Sequence, residues 1–177
     1  MIDKLVDNIS TSLVNKFPEE LPPYGVTRYG IKFLISNLLP ILLLLLIGTV
    51  INAFNEVMIS ILSFSTLRLV SGGFHAKKPE LCLVISTIMI LSIAKFGYFF
   101  EEYTVVVNLL SLTLVLIFSP SNIEGQTKIL KENFKYLKLV SLAILAVGFF
   151  LDNYLISTSF LAQSIFLIRL KGGGKNE

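Results

Sequence analysis

The chain contains a single histidine and a single cysteine, and they lie seven residues apart in Ser71-Gly72-Gly73-Phe74-His75-Ala76-Lys77-Lys78-Pro79-Glu80-Leu81-Cys82. An imidazole that takes the proton of a thiol converts it into a nucleophile, so His75 and Cys82 together could attack a carbonyl carbon. A zinc site normally takes three or four protein ligands, and one cysteine excludes an intramolecular disulfide. No metal and no other cofactor is expected.

The spacing imposes a geometric condition. On one straight helix, residues 75 and 82 would stand about 10.5 Å apart along the axis, too far for proton transfer. Gly72 and Gly73 permit a tight turn, while Pro79 suits the first position of a helix and discourages helical geometry at Lys78. The chain is therefore expected to fold back between His75 and Cys82. Pro79 would then place Cys82 in the first turn of a helix, where unpaired amides and the helix dipole favour an anion. Lys77 and Lys78 add positive charge, so the thiol pKa is expected to fall. The same amides, or those of Gly72 and Gly73, could stabilise the oxyanion of an attacked peptide carbonyl.

Each of these residues has a plainer reading. A cysteine in an apolar helix can be an inert small hydrophobe, and a lone histidine at a membrane surface a solvated polar residue. Glu80 is the nearest carboxylate that could orient His75, or it is a favourable charge at a helix N-terminus. Arg68 could position a substrate carboxylate, brace the loop, or snorkel to the interface. No third catalytic member stands out.

The elements that must hold this segment are membrane helices. Apolar residues make up 54% of the chain and charged ones 15%, against roughly a quarter charged in soluble domains. An all-α, polytopic transmembrane bundle of about six spans is expected, since each span needs ~20 residues. The spans read as 33–51, kinked near Pro40, then 57–71, 81–100, 104–119, 136–152 and 154–170. Composition leaves open whether the second and sixth cross or re-enter. No removable signal peptide is expected.

Before them, Ile2, Leu5, Val6, Ile9, Leu13 and Phe17 form an apolar stripe at helical spacing. That pattern predicts an amphipathic helix lying in the membrane interface or packed on the ends of the bundle. The chain thus divides into an N-terminal segment 1–32, a membrane domain 33–171 and a disordered polar tail 172–177. Lysines and arginines crowd every second connection, leaving Glu56, Glu101, Glu102 and Asp152 in the others. By the retention of positive loops in the cytoplasm, both termini and the His75–Cys82 segment are expected on that side of a bacterial cell membrane. Lys128, Lys131, Lys135 and Lys138 could attract anionic lipid or an acidic substrate tail. Gly48, Ala94, Gly97 and Gly148 suit helix packing or formation of a homo-oligomer.

Arg68 followed by Ser71-Gly72-Gly73-Phe74-His75-Ala76, with Cys82 seven positions after the histidine, resembles the signature of the accessory gene regulator protein B (AgrB) family. The likeness extends over the amphipathic N-terminus, the His/Cys loop and the lysine-bearing 120–138 connector. It implies a membrane cysteine endopeptidase whose histidine and cysteine fall on His75 and Cys82. Its implied partner is a small amphipathic precursor peptide of a quorum-sensing signal, with membrane lipids and no nucleic acid. The implied acyl-enzyme passes the peptide to an internal Cys or Ser, closing a thiolactone or lactone. A rival reading is a small transporter or channel subunit, for which Asn37, Lys95, Asn108 and Gln163 would be the polar residues within the spans. A third is a noncatalytic assembly or signalling protein, indifferent to substitution of His75 and Cys82.

Overall fold

The computed structural model describes residues 2–73, 79–121 and 131–168, without the side chains of Ile2, Pro79, Glu80, Cys82, Leu83 and Lys131. It is all-α. The helices are α1 (Ile2–Lys16), α2 (Tyr24–Val50), α3 (Phe54–Ser71), α4 (Pro79–Phe96), α5 (Thr104–Phe118), α6 (Phe134–Leu151) and α7 (Tyr154–Ile165), with 3-10 turns at Gly97–Tyr103 and Lys131–Asn133. Among the described residues, the one β-type pairing is an isolated bridge between Gly72 and Ser121. Three stretches are long and apolar enough to cross a membrane: Tyr24–Val50, Val84–Phe118 and Phe134–Leu151.

The chain divides into two units, residues 1–46 and 47–177. In the first, charge matches charge between α1 and the base of α2. Lys32 Nζ lies 2.7 Å from Asp3 Oδ1, and Arg28 Nε 2.6 Å from Asp7 Oδ1. Both pairs follow i, i+4 spacing on their helices, so each side chain stands on one face of its helix. The Lys32 ammonium holds the Asp3 carboxyl below its ordinary range, and the Arg28 guanidinium does the same for Asp7. Along the stripe of α1, Val6 is buried while Leu5, Ile9 and Phe17 are exposed. Helix α2 begins nine residues before the expected start of the first span, because Tyr24-Gly25-Val26-Thr27-Arg28 lacks the apolar density by which a span is recognised. Pro40 lies inside it without ending it.

The second unit is built around its shortest α-helix. Helix α7 packs against α3 and α5, with further contacts to α4 and α6. At twelve residues it is about 18 Å long, well short of the ~30 Å hydrocarbon thickness. It differs in this from the expected sixth span at 154–170. Its composition fits enclosure by protein, since Ser157, Thr158, Ser159, Gln163 and Ser164 are all buried, with Leu155 and Phe160 beside them. Asn153 caps its N-terminus by accepting from the amides of Leu155 and Ile156, a standard use of a short polar side chain. Leu67, Val115, Leu145, Phe160 and Leu167 form the buried apolar core.

Internal hydrogen bonds satisfy part of this buried polar surface, while the hydroxyls of Ser157 and Ser159 on α7 are buried without a partner among the described residues. Several buried hydroxyls donate to carbonyls one turn back: Ser71 to Leu67, Ser111 to Val107, Ser141 to Leu137 and Ser164 to Phe160. This satisfies the hydroxyl without a partner from another helix. Small residues allow close approach at two points. A Cβ at Gly148 would collide with the Phe160 ring, and one at Gly48 would stand 3.2 Å from Val57.

Candidate functional site

Helix α3 ends at Ser71, and α4 begins at Pro79. The helix start anticipated from the proline is therefore present, and Cys82 occupies the first turn of α4. His75, Lys77 and Lys78 lie outside the described residues, as do Lys128 and the 172–177 tail. The side chains of Cys82 and Glu80 are likewise outside the description.

The described approach to the His75 segment is tightly determined. Gly72 has φ 71° and Gly73 φ 131°, backbone conformations that L side chains rarely adopt. The Gly72 amide donates to Arg68 O at 3.0 Å, closing α3. Two further bonds pair this corner with the chain just after α5: Ser121 N donates to Ser71 O at 3.0 Å and Gly73 N to Ser121 O at 2.8 Å. A Cβ on Gly73 would lie 3.2 Å from Phe166 O and 3.3 Å from Gln163 Nε2. Glycine is thus favoured here by conformation, and the space beside it is tight.

Gln163, from α7, completes the corner. Its side-chain amide donates to Gly72 O at 2.7 Å and to Ser71 Oγ at 3.2 Å. Its carbonyl oxygen accepts from Arg68 Nη1 at 3.2 Å. Both donors and one acceptor position of the carboxamide are therefore used, at a residue with no solvent exposure. Arg68 is held in turn by two aromatic rings. Its guanidinium carbon stands 5.7 Å from the centroids of both Phe64 and Phe166, which meet edge to face at 6.0 Å. Such placement favours a cation over the electron-rich ring faces.

Arg68, Gly72 and Gly73 are thus brought together, along with three residues that sequence reasoning did not place here: Gln163, Ser121 and Phe166. Gln163 stood out only as a polar residue in an apolar run. The stronger signal was its company, since Ser157, Thr158, Ser159 and Ser164 on the same short helix indicate surroundings of protein rather than lipid.

The polar residues that a transport reading would use are scattered within the second unit. Lys95 is exposed, Asn108 lines a mostly apolar groove with Leu112, Leu145, Ala146, Phe149 and Phe150, and Gln163 is engaged at Gly72. In the first unit, Asn37 donates to Phe33 O of its own helix.

The apolar helices and the enclosed polar helix α7 define a helical membrane protein. The family model described as "Accessory gene regulator B" matches residues 1–170, and the chain belongs to that family. It is 26% identical over 162 residues to AgrB-like protein 2 of Clostridium perfringens (strain 13 / Type A), covering 84% of this chain and 76% of that one. It is 23% identical over 144 residues to accessory gene regulator protein B of Staphylococcus aureus (strain bovine RF122 / ET3-1), covering 78% and 76%. No solved structure matches the chain significantly.

Proposed function

We propose that this protein is an integral-membrane cysteine endopeptidase that cuts a quorum-sensing precursor peptide, with Cys82 as nucleophile and His75 as general base and acid. The observation that carries this reading is the start of α4 at Pro79, which puts Cys82 in the first helical turn. Only seven residues, 72–78, separate that helix from the end of α3, and His75 is among them. A helix N-terminus favours a thiolate.

In the proposed reaction, His75 takes the thiol proton as Cys82 Sγ bonds to the scissile carbonyl carbon. Collapse of the tetrahedral intermediate breaks the C–N bond, and the imidazolium returns the proton to the departing amine. The remaining thioester is attacked by an internal Cys or Ser of the peptide, which releases Cys82 and closes a thiolactone or lactone. Exclusion of water near the membrane favours ring closure over hydrolysis.

Cys82→Ala should abolish thioester formation, and His75→Ala should slow it by roughly 10²- to 10⁴-fold, the usual contribution of general acid–base catalysis. Mass spectrometry of folded variants with the cognate precursor, looking for a hydroxylamine-sensitive enzyme–peptide adduct, tests both. Normal turnover by Cys82→Ala would end the cysteine mechanism. Wild-type turnover by His75→Ala would remove the histidine from it.

The alternation of basic and non-basic connections supports six crossings, with both termini and residues 72–78 cytoplasmic. Helix α7, being enclosed by protein, need not match the lipid thickness. Exposed Leu5 and Ile9 on α1 suit an interfacial helix. Single cysteines introduced at positions 56 and 128 in a Cys82→Ala background should be labelled from outside and inside, respectively. External labelling at 128 with protection at 56 would reverse the orientation.

A further inference from the structure

We infer that Gln163 is a positioning residue for the peptidase reaction, setting the register of the segment that carries His75. The inference rests on the proposed function and adds to it a residue from the opposite end of the chain. Its basis is the geometry of a single carboxamide. The amide group donates to Gly72 O and Ser71 Oγ while the oxygen receives Arg68 Nη1. The side chain is fully buried, and its anchor carbonyl lies three residues before His75.

The arrangement has a directional requirement. Gly72 O and Ser71 Oγ are met by donors of the carboxamide, whereas Arg68 itself donates and is met by its oxygen. Of the uncharged side chains of this length, only glutamine offers both at one planar terminus. Its position is itself fixed, since Ser71 Oγ is committed to Leu67 O and the rings of Phe64 and Phe166 flank the arginine. Ser121 grips the other edge of the corner through Ser71 O and Gly73 N. The backbone from Ser71 to Gly73 is therefore held from two sides, by α7 and by the chain after α5. A base displaced by about 1 Å from its proton can lose on the order of 10²-fold in rate.

Two substitutions separate positioning from bulk. Gln163→Glu keeps the shape and the acceptor for Arg68, but its carboxylate cannot donate to Gly72 O. Gln163→Met keeps the length and removes both functions. Each variant is purified in detergent and its thermal midpoint recorded. Single-turnover thioester formation is then measured with the cognate precursor. Precursor affinity is measured in a Cys82→Ala background, and alkylation of Cys82 by iodoacetamide is followed against pH without precursor.

Both variants should form the thioester about 10- to 100-fold more slowly, with affinity within about threefold and with the alkylation profile displaced from that of the wild type. A rate within twofold of wild type in either folded variant would overturn the inference. So would a loss confined to precursor affinity with an unchanged alkylation profile. The parent reading fails differently: turnover by Cys82→Ala would sink it whatever the Gln163 variants do, whereas an inert Cys82→Ala beside fully active Gln163 variants removes only the positioning role.

Discussion

The base of α2 and the end of α3 each hold a chain segment in register, and they use opposite chemistry. At α2 the fastening is ionic: Asp3 and Asp7 of α1 meet Lys32 and Arg28, all of them partly exposed to solvent. At α3 it is a carboxamide, a serine, an arginine and backbone groups, centred on a glutamine with no exposure. Exposed ion pairs are screened by salt and add little stability. Buried hydrogen bonds are unscreened, and removing one partner leaves the other unsatisfied at a cost of roughly 1–3 kcal/mol. The first arrangement suits a joint that adapts to its surroundings, and the second a corner that must hold one geometry.

That contrast can be broken most severely at Gly73. Gly73→Ala puts a side chain at φ 131° and 3.2 Å from Phe166 O, a conformation expected to cost about 1–3 kcal/mol. The variant should insert but show a lowered thermal midpoint and a large loss of thioester formation. Unchanged stability and activity would mean that the corner is not the fixed element its contacts describe.

Asp7→Asn should do far less. It removes one exposed pair, and its effect on the thermal midpoint should disappear in high salt. The wild-type joint has a corresponding pH signature. Because pairing with Lys32 and Arg28 lowers the Asp3 and Asp7 carboxyls, their contribution is complete above the ordinary aspartate value, about pH 4. It is lost as pH falls through the lowered values. Limited proteolysis between α1 and α2 at graded pH and salt reads this directly. A joint equally protected in strong acid and in molar salt would contradict its ionic character.

Much of the architecture was legible because it rests on local signals. The apolar runs gave α2, α4, α5 and α6 to within a few residues at most of their ends. Pro79 gave the start of α4, since a proline lacks the amide that a first-turn position leaves unpaired. Gly72-Gly73 marked the turn. The start of α2 was missed because its first turns carry glycine, threonine and arginine and so lack the apolar density by which a span is recognised. Helix α7 was overextended because an apolar tail, Phe166-Leu167-Ile168, continues the hydropathy beyond Ile165 although the helix has ended.

The corner itself was only half visible. Its glycines announce themselves, whereas Gln163 acts through a partner 91 residues away in sequence and Ser121 through partners 48 and 50 residues away. No local periodicity encodes such pairings. The proposal for His75 and Cys82 rests on their rarity and spacing, which express chemistry more than folding.

The placement of α7 has a consequence for biogenesis. The helix at the centre of the second unit follows all the other described helices in chain order, and its glutamine closes on a carbonyl made 91 residues earlier. While the chain is being synthesised, helices α3 to α6 can meet one another, but the Arg68–Gly73 corner lacks its keystone until α7 arrives. Closing so long a loop is entropically slow. A ribosome-bound chain of this protein therefore carries α4 before the Arg68–Gly73 corner has been fastened, and the order of synthesis itself delays that geometry until α7 has been made.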